Sequence, residues 1–279
     1  MQTSMDIFRK ISGYELIMLY ILVLIVSQII GLLFNSSAVL FFVENIIFIL
    51  FFIVKFRNHD FSSELNELLT FNHVKEIILI SISLLFVTWG ISIMYLYSGI
   101  NEYLYITGLN NLYLLYFMNL DFSTTHNFPT GIFAFDFPDF LGEALSFLNA
   151  FILIDISEEM FYTGAIYNKL CVKLGIKTAI LLTSLIFVIL SGRSFGLLLG
   201  LFICSCVLII SYTKTKNILT PISISILFNL FNDLRICTNI YYLNVYTTFG
   251  IFIILLAVIS TAYLIKYYKK NKDEINDFL

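Results

Sequence analysis

The sequence predicts an all-α polytopic membrane protein that forms a single domain, and three observations favour this class. Hydrophobic residues make up 59% of the 279-residue chain and charged residues only 13%, with a mean hydropathy of +0.91. The apolar residues fall in runs of membrane-spanning length, and the basic residues gather on one side of those runs. A soluble protein of this size needs far more polar surface. The net charge of −3 says nothing about nucleic acid, but no basic patch with interleaved aromatic residues appears, so we expect no nucleic acid partner.

We predict about eight membrane spans from the apolar runs; a helix crosses the hydrocarbon core with ~20 residues. The first span follows 14 residues that are largely polar. It has no small-residue cleavage site, so we expect a retained anchor rather than a removed signal peptide. The predicted spans are, in order, residues 16–34, 38–54, 77–97, 143–167, 178 to about 193, 196–211, 219–234 and 242–265.

Two connecting segments are long enough to have structure of their own. Residues 55–76 form the first loop, in which we expect a short amphipathic helix around residues 64–69. Residues 98–142 contain no lysine or arginine and many aromatic residues, which suits the headgroup region of a membrane. The apolar run 112–120 is too short to cross, so we expect it along the membrane surface or re-entrant within the bundle.

The lysines and arginines lie almost entirely on one side of the predicted spans. Of the 16 basic residues, all except Arg193 and Arg235 fall on the side that carries both termini. Because basic loops are retained in the cytoplasm, the pattern predicts a multi-pass protein of the cell membrane with both termini cytoplasmic. The frequent Ile, Asn, Lys and Phe residues indicate a bacterial source with an AT-rich genome.

Two adjacent carboxylates, Glu158 and Glu159, interrupt the fourth predicted span, and Asp155 lies one helical turn before them. Ionisable residues within a span are costly and are usually functional. A frayed helix end in water is the alternative, but a buried polar site is favoured. Glu44 interrupts the second span; we expect a buried, hydrogen-bonded acid that faces neighbouring helices, with a role in the site as the alternative.

Polar residues in two further spans lie at a similar depth. Counted from the nearest lysine at ~1.5 Å per residue, Glu158, Ser191 and Asn229 lie ~16–21 Å into the membrane. Ser225 is four residues before Asn229, so the two share a helix face. Such residues often only join helices together. Their shared depth with the acid pair nevertheless predicts a common polar chamber.

Residues 158–164 (EEMFYTG) resemble the Glu-Glu-x-x-x-Arg-Gly signature of the CPBP family, the CAAX proteases and bacteriocin-processing enzymes also called Abi. The second family motif, Phe-x-x-x-His, corresponds to residues 187–191. The third, Pro-Ile-x-x-His-x-x-x-Asn, corresponds to residues 221–229. The resemblance implies an eight-helix intramembrane endopeptidase with its core at about residues 143–233.

The chain departs from these motifs at three positions. Thr163 stands in place of the motif arginine, and Ser191 and Ser225 stand in place of both motif histidines. What remains of the implied catalytic set is Glu158, Glu159 and Asn229. The histidines of the chain are His59, His73 and His126, and none of them lies on the spans that build the chamber.

The resemblance assigns a role to each motif residue. The first Glu and the second-motif His are implied to activate a water, and the third-motif His and Asn to hold the oxyanion. Two serines cannot replace the imidazoles as bases or metal ligands, because an unperturbed hydroxyl keeps its proton. Loss of one such group costs ~10²–10⁴ in rate, so we expect impaired or absent catalysis. We expect no cofactor, and a divalent metal is unfavourable without histidines.

Three hypotheses follow. The favoured one is a non-catalytic CPBP relative that binds a membrane peptide or a partner protein within the lipid bilayer, with bacteriocin immunity, peptide maturation and cell-envelope regulation as implied roles. The second is a still-active intramembrane endopeptidase that uses Glu158 as its base, with Asn229 and Ser225 at the oxyanion. The third is a proton-coupled small-solute transporter, against which stands the lack of an internal repeat.

Overall fold

The computed structural model describes residues 3–33, 37–97, 152–190, 195–237 and 248–270, and every regular element within these ranges is helical. The predicted all-α class is therefore confirmed. A π-helical segment, Glu159–Ile166, joins α6 to α7. The helices are α1 (Ser4–Lys10), α2 (Gly13–Leu33), α3 (Ser37–Lys55), α4 (Ser62–Leu68), α5 (Phe71–Tyr97), α6 (Ile154–Glu158), α7 (Tyr167–Leu174), α8 (Ile176–Leu190), α9 (Phe195–Thr215), α10 (Leu219–Cys237) and α11 (Thr248–Lys270).

Helices α2, α5, α9 and α11 are each long and apolar enough to cross a membrane. Helices α8 and α10 contain shorter apolar stretches, Ile176–Leu190 and Leu219–Phe231. Large apolar side chains such as Ile17, Ile25 and Leu255 are exposed, as expected for residues in contact with lipid. The chain is thus a polytopic membrane protein. The count of eight spans stays a prediction, and the expected outer segment 98–142 lies outside the described residues.

One apolar cluster packs α1 against the helices that carry the acid pair. Phe8 of α1 is fully buried. Its ring lies 5.7 Å from that of Phe52 in α3 and 4.9 Å from that of Phe56, the residue that follows α3. Tyr212 of α9 belongs to the same cluster. The first 14 residues are largely polar in sequence, yet they contain α1. The apolar residues of α1 fall on one face and dock into the core.

A second apolar cluster joins α5, α9, α10 and α11. Ile80 of α5 and Ile224 of α10 are almost fully buried in it. The hydroxyl of Ser81 donates to the backbone carbonyl of Ile224 at 3.2 Å. Gly90 of α5 lies against Ala257 of α11, so closely that a Cβ on Gly90 would be 2.4 Å from the alanine Cβ. Small residues allow this close helix packing.

The first loop is shorter than predicted, because α5 begins at Phe71 rather than at residue 77. The polar first turns of α5 are held by contacts with the end of α9 and the start of α10. The Nε2 atom of His73 lies 3.0 Å from the Thr220 hydroxyl, and the Lys214 ammonium lies 2.6 Å from the Glu76 carboxylate. Helix α4 confirms the helix predicted around residues 64–69.

Glu64 of α4 is a buried carboxylate that ties α4 to two distant parts of the chain. Its Oε1 atom accepts from the Ser4 backbone N–H at 2.8 Å and lies 3.1 Å from His59 Nε2. Its backbone carbonyl accepts from the Asn217 amide at 2.8 Å. His59 and His73 therefore have structural partners away from the acid pair, and His126 lies outside the described residues.

Gly164 lies where α1 and the π-helical segment touch. A Cβ at this position would be 2.3 Å from the Phe8 ring, and Phe8 is held in place by Phe52 and Phe56. The glycine is therefore required by a close approach between two elements. Overpacking of this kind typically costs ~1–3 kcal/mol.

We expect Gly164→Ala to destabilise the protein by ~1–3 kcal/mol, measured as a lower thermal unfolding midpoint in detergent. Adding Phe8→Leu should recover part of the loss by making room for the methyl group. Gly13→Ala is the matched control, because a Cβ there meets nothing within 4 Å. Equal stability of Gly164→Ala and the unmodified protein would contradict the packing.

Candidate functional site

The acid pair lies at the junction between an α-helix and a π-helix. Glu158 is the last residue of α6, and Glu159 is the first residue of the π-helical segment. Sequence analysis predicted one continuous α-helical span over residues 143–167, and the described part of it instead changes its hydrogen-bond register at the acids. π-Helical turns are rare and are frequent at functional sites.

Asp155 is the acid that joins α6 to α10. It is 1% exposed, and its Oδ1 atom accepts from the Ser225 hydroxyl at 2.8 Å and from the Asn229 amide at 2.6 Å. Ser225 and Asn229 were predicted to share one face of a helix, and the structure brings both to Asp155.

Glu159 is buried and has a partner on its own helix. Its Oε2 atom accepts from the Thr163 hydroxyl at 2.6 Å, and Thr163 is also buried. A neutral hydroxyl therefore bonds the second carboxylate at the position where the family motif has a cation. Asp155 and Glu158 are close enough to Glu159 to interact with it electrostatically.

Glu158 is partly buried, unlike its two acidic neighbours. It interacts electrostatically with Glu159 and with Tyr162. Among the three acids, it is the one with the most access to a group outside the protein core. We refer to Asp155, Glu158, Glu159, Ser225 and Asn229 together as the polar cluster.

Helix α3 supports α6 from the other side. The hydroxyl of Ser157 donates to the side-chain oxygen of Asn45. The neighbouring Glu44 accepts from the Ser27 hydroxyl of α2, which confirms the expectation of a hydrogen-bonded acid that faces an adjacent helix. The polar contacts of α6 therefore extend to α3 on one side and to α10 on the other.

Helix α8 packs against the π-helical segment through an aromatic pair. The Phe187 ring lies 5.2 Å from the Tyr162 ring in an edge-on arrangement. Phe187 is the first residue of the second motif, so this motif begins beside the first. Ser191, the last residue of that motif, lies outside the described residues.

The polar cluster includes one residue that was not among the predicted site residues, Asp155. Its spacing of three residues from Glu158 and four from Glu159 was the available signal. Within the described ranges, no three histidine, cysteine or acidic side chains form a group that could hold a metal ion.

Comparison with known proteins adds one finding. Residues 140–231 match the family model described as Type II CAAX prenyl endopeptidase Rce1-like. Searches of curated proteins and of solved structures gave no match. The matched residues include the whole polar cluster, from Asp155 in α6 to Asn229 in α10.

Replacing Asp155 removes the acceptor that Ser225 and Asn229 share. Hydrogen bonds to charged groups contribute ~1.5–3 kcal/mol each, so Asp155→Ala should destabilise the protein by about 3 kcal/mol. Asp155→Asn should cost less, because one side-chain oxygen remains. Thermal unfolding midpoints in detergent give the comparison.

A double-mutant cycle tests the contact itself. The effects of Asp155→Ala and Asn229→Ala should be non-additive by ~0.5–3 kcal/mol, as for residues in direct contact. Asp155→Ala and Thr261→Ala should be additive, because Thr261 is an exposed residue of α11. Additive effects for the Asp155 and Asn229 pair would show that this hydrogen bond does not form.

Proposed function

From the match of residues 140–231 to the Type II CAAX prenyl endopeptidase Rce1-like family model, we propose that the chain is a non-catalytic CPBP-family member that binds a membrane peptide. The peptide is either free or a membrane-spanning segment of a partner protein. It contacts the polar cluster from within the bilayer. The inference rests on the hydrogen bonds of Asp155.

The two donors to Asp155 occupy the third-motif positions that, in the family, are implied to stabilise the oxyanion. The Ser225 hydroxyl and the Asn229 amide both donate to Asp155 Oδ1. An oxyanion at the same donors would lie beside a buried carboxylate, and like charges repel strongly in a medium of low dielectric constant. The arrangement therefore opposes the stabilisation on which peptide hydrolysis depends.

The acid–base side of the reaction is also incomplete. Serine occupies both motif histidine positions, and a serine hydroxyl keeps its proton near neutral pH. Thr163 donates to Glu159 without supplying the positive charge of the motif arginine. Each missing group typically costs ~10²–10⁴ in rate, so the combined losses support a protein without measurable peptidase activity.

Binding requires less than catalysis, and the polar cluster retains what binding needs. The partly buried Glu158 can accept hydrogen bonds from backbone N–H groups of a peptide whose helix is broken or ends within the membrane. Such groups are costly to leave unpaired in lipid. In the cell, this binding serves to capture a bacteriocin or an envelope signalling peptide.

The purified full-length protein should bind members of a panel of membrane peptides without cleaving them. Photo-crosslinking measures binding, and mass spectrometry of the recovered peptide detects cleavage. Glu158→Gln should weaken binding by about tenfold, the loss of one hydrogen bond to a charged group. Glu67→Gln, at an exposed acid of α4, should bind as the unmodified protein does. An active CPBP endopeptidase with the same panel controls the cleavage assay.

Two results would replace this proposal. Cleavage by the unmodified protein that disappears in Glu158→Gln would establish the endopeptidase. Solute flux driven by a proton gradient in liposomes, lost in the same variant, would establish the transporter.

A further inference from the structure

A cavity of about 260 Å³ lies apart from the polar cluster, where α1, the start of α2 and the end of α3 meet. Its walls combine apolar, cationic and amide side chains. The lining residues are Ile7, Lys10, Ile11, Glu15, Lys55, Asn58 and His59.

The walls of this cavity are fixed by packing. Phe8, between the lining residues of α1, is fully buried against Phe52 and Phe56. The ring of His59 packs 4.6 Å from that of Phe61, and its Nε2 atom lies 3.1 Å from Glu64. The cavity is therefore formed before any ligand arrives, which lowers the entropic cost of binding.

Lysines give the cavity its cationic character. Lys10 is exposed, and Lys55 is bound to Glu15. The Glu15 carboxylate also accepts from the Ser12 backbone N–H at 2.7 Å. Two ammonium groups and one carboxylate thus face the same space. The Asn58 side chain adds a neutral donor and acceptor.

The surface beside the cavity is apolar and exposed. Tyr14, at the start of α2, is 71% exposed, and Val54, the residue before Lys55, is 70% exposed. These residues mark the end of the surface that faces lipid. We therefore expect the cavity at the level of the membrane headgroups, on the side where the lysines of the chain gather.

We propose that this cavity binds the phosphate-bearing headgroup of an anionic membrane lipid. The Lys10 and Lys55 ammonium groups hold the phosphate oxygens, and Ile7 and Ile11 contact the carbon atoms of the glycerol. The acyl chains lie along the exposed apolar surface beside Tyr14 and Val54. That adjacent surface favours a lipid over free phosphate, which gains nothing from apolar contacts.

The full-length protein in detergent should retain phosphatidylglycerol in preference to phosphatidylcholine, as measured by native mass spectrometry. Lys10→Gln should weaken this retention by about fivefold, which corresponds to the ~1 kcal/mol contributed by one basic residue near an anionic lipid surface. Glu15→Gln should strengthen it, because Lys55 is then free for the phosphate. Lys177→Gln, at an exposed lysine of α8, is the control and should leave retention unchanged.

Three outcomes would overturn the proposal. The first is equal retention of the two lipids by the unmodified protein. The second is an equal effect of Lys10→Gln and Lys177→Gln. The third concerns the ligand source: if millimolar inorganic phosphate raises the thermal unfolding midpoint as much as phosphatidylglycerol does, the ligand is soluble phosphate and the lipid is excluded.

Discussion

The hydrogen bonds of Asp155 determine how α6 and α10 meet. A carboxylate without exposure to water must be paired, because an unpaired buried charge costs several kcal/mol. Ser225 and Asn229 provide the two donors from one face of α10. On its other side, α6 is held by the hydrogen bond from its own Ser157 to Asn45 of α3. The acid pair follows directly along the chain, so its position relative to α3 and α10 depends on these contacts.

Parts of the first motif have packing and hydrogen-bonding roles that do not require catalysis. Gly164 gives Phe8 the space that a side chain would fill, and Thr163 satisfies the buried Glu159. Tyr162 packs against Phe187 of α8. These contacts between helices therefore do not depend on the motif histidines that the chain lacks.

Sequence patterns predicted the all-α membrane class, helix α4, the shared helix face of Ser225 and Asn229, and the hydrogen bonding of Glu44. They did not predict α1, which is too short for its periodicity to be distinctive, or the π-helical segment. Spacing placed Asp155 and the acid pair on one side of a helix, but the acid that meets α10 depends on how α6 is rotated about its axis. That rotation is set by packing between helices, and local sequence does not specify it.

Helix α1 is the element shared by the polar cluster region and the proposed lipid cavity. Phe8 contacts Gly164 next to Thr163, while Ile7, Lys10 and Ile11 line the cavity. No space exists between the Phe8 ring and Gly164 for α1 to move inward, and the Phe8 ring also packs edge-on against Phe56. A ligand in the cavity must therefore fit the existing walls, and any that displaced α1 would also move the packing beside the π-helical segment. For this reason, the close contact between Phe8 and Gly164 couples the position of α1, which lines the cavity, to the position of the π-helical segment, which begins at Glu159.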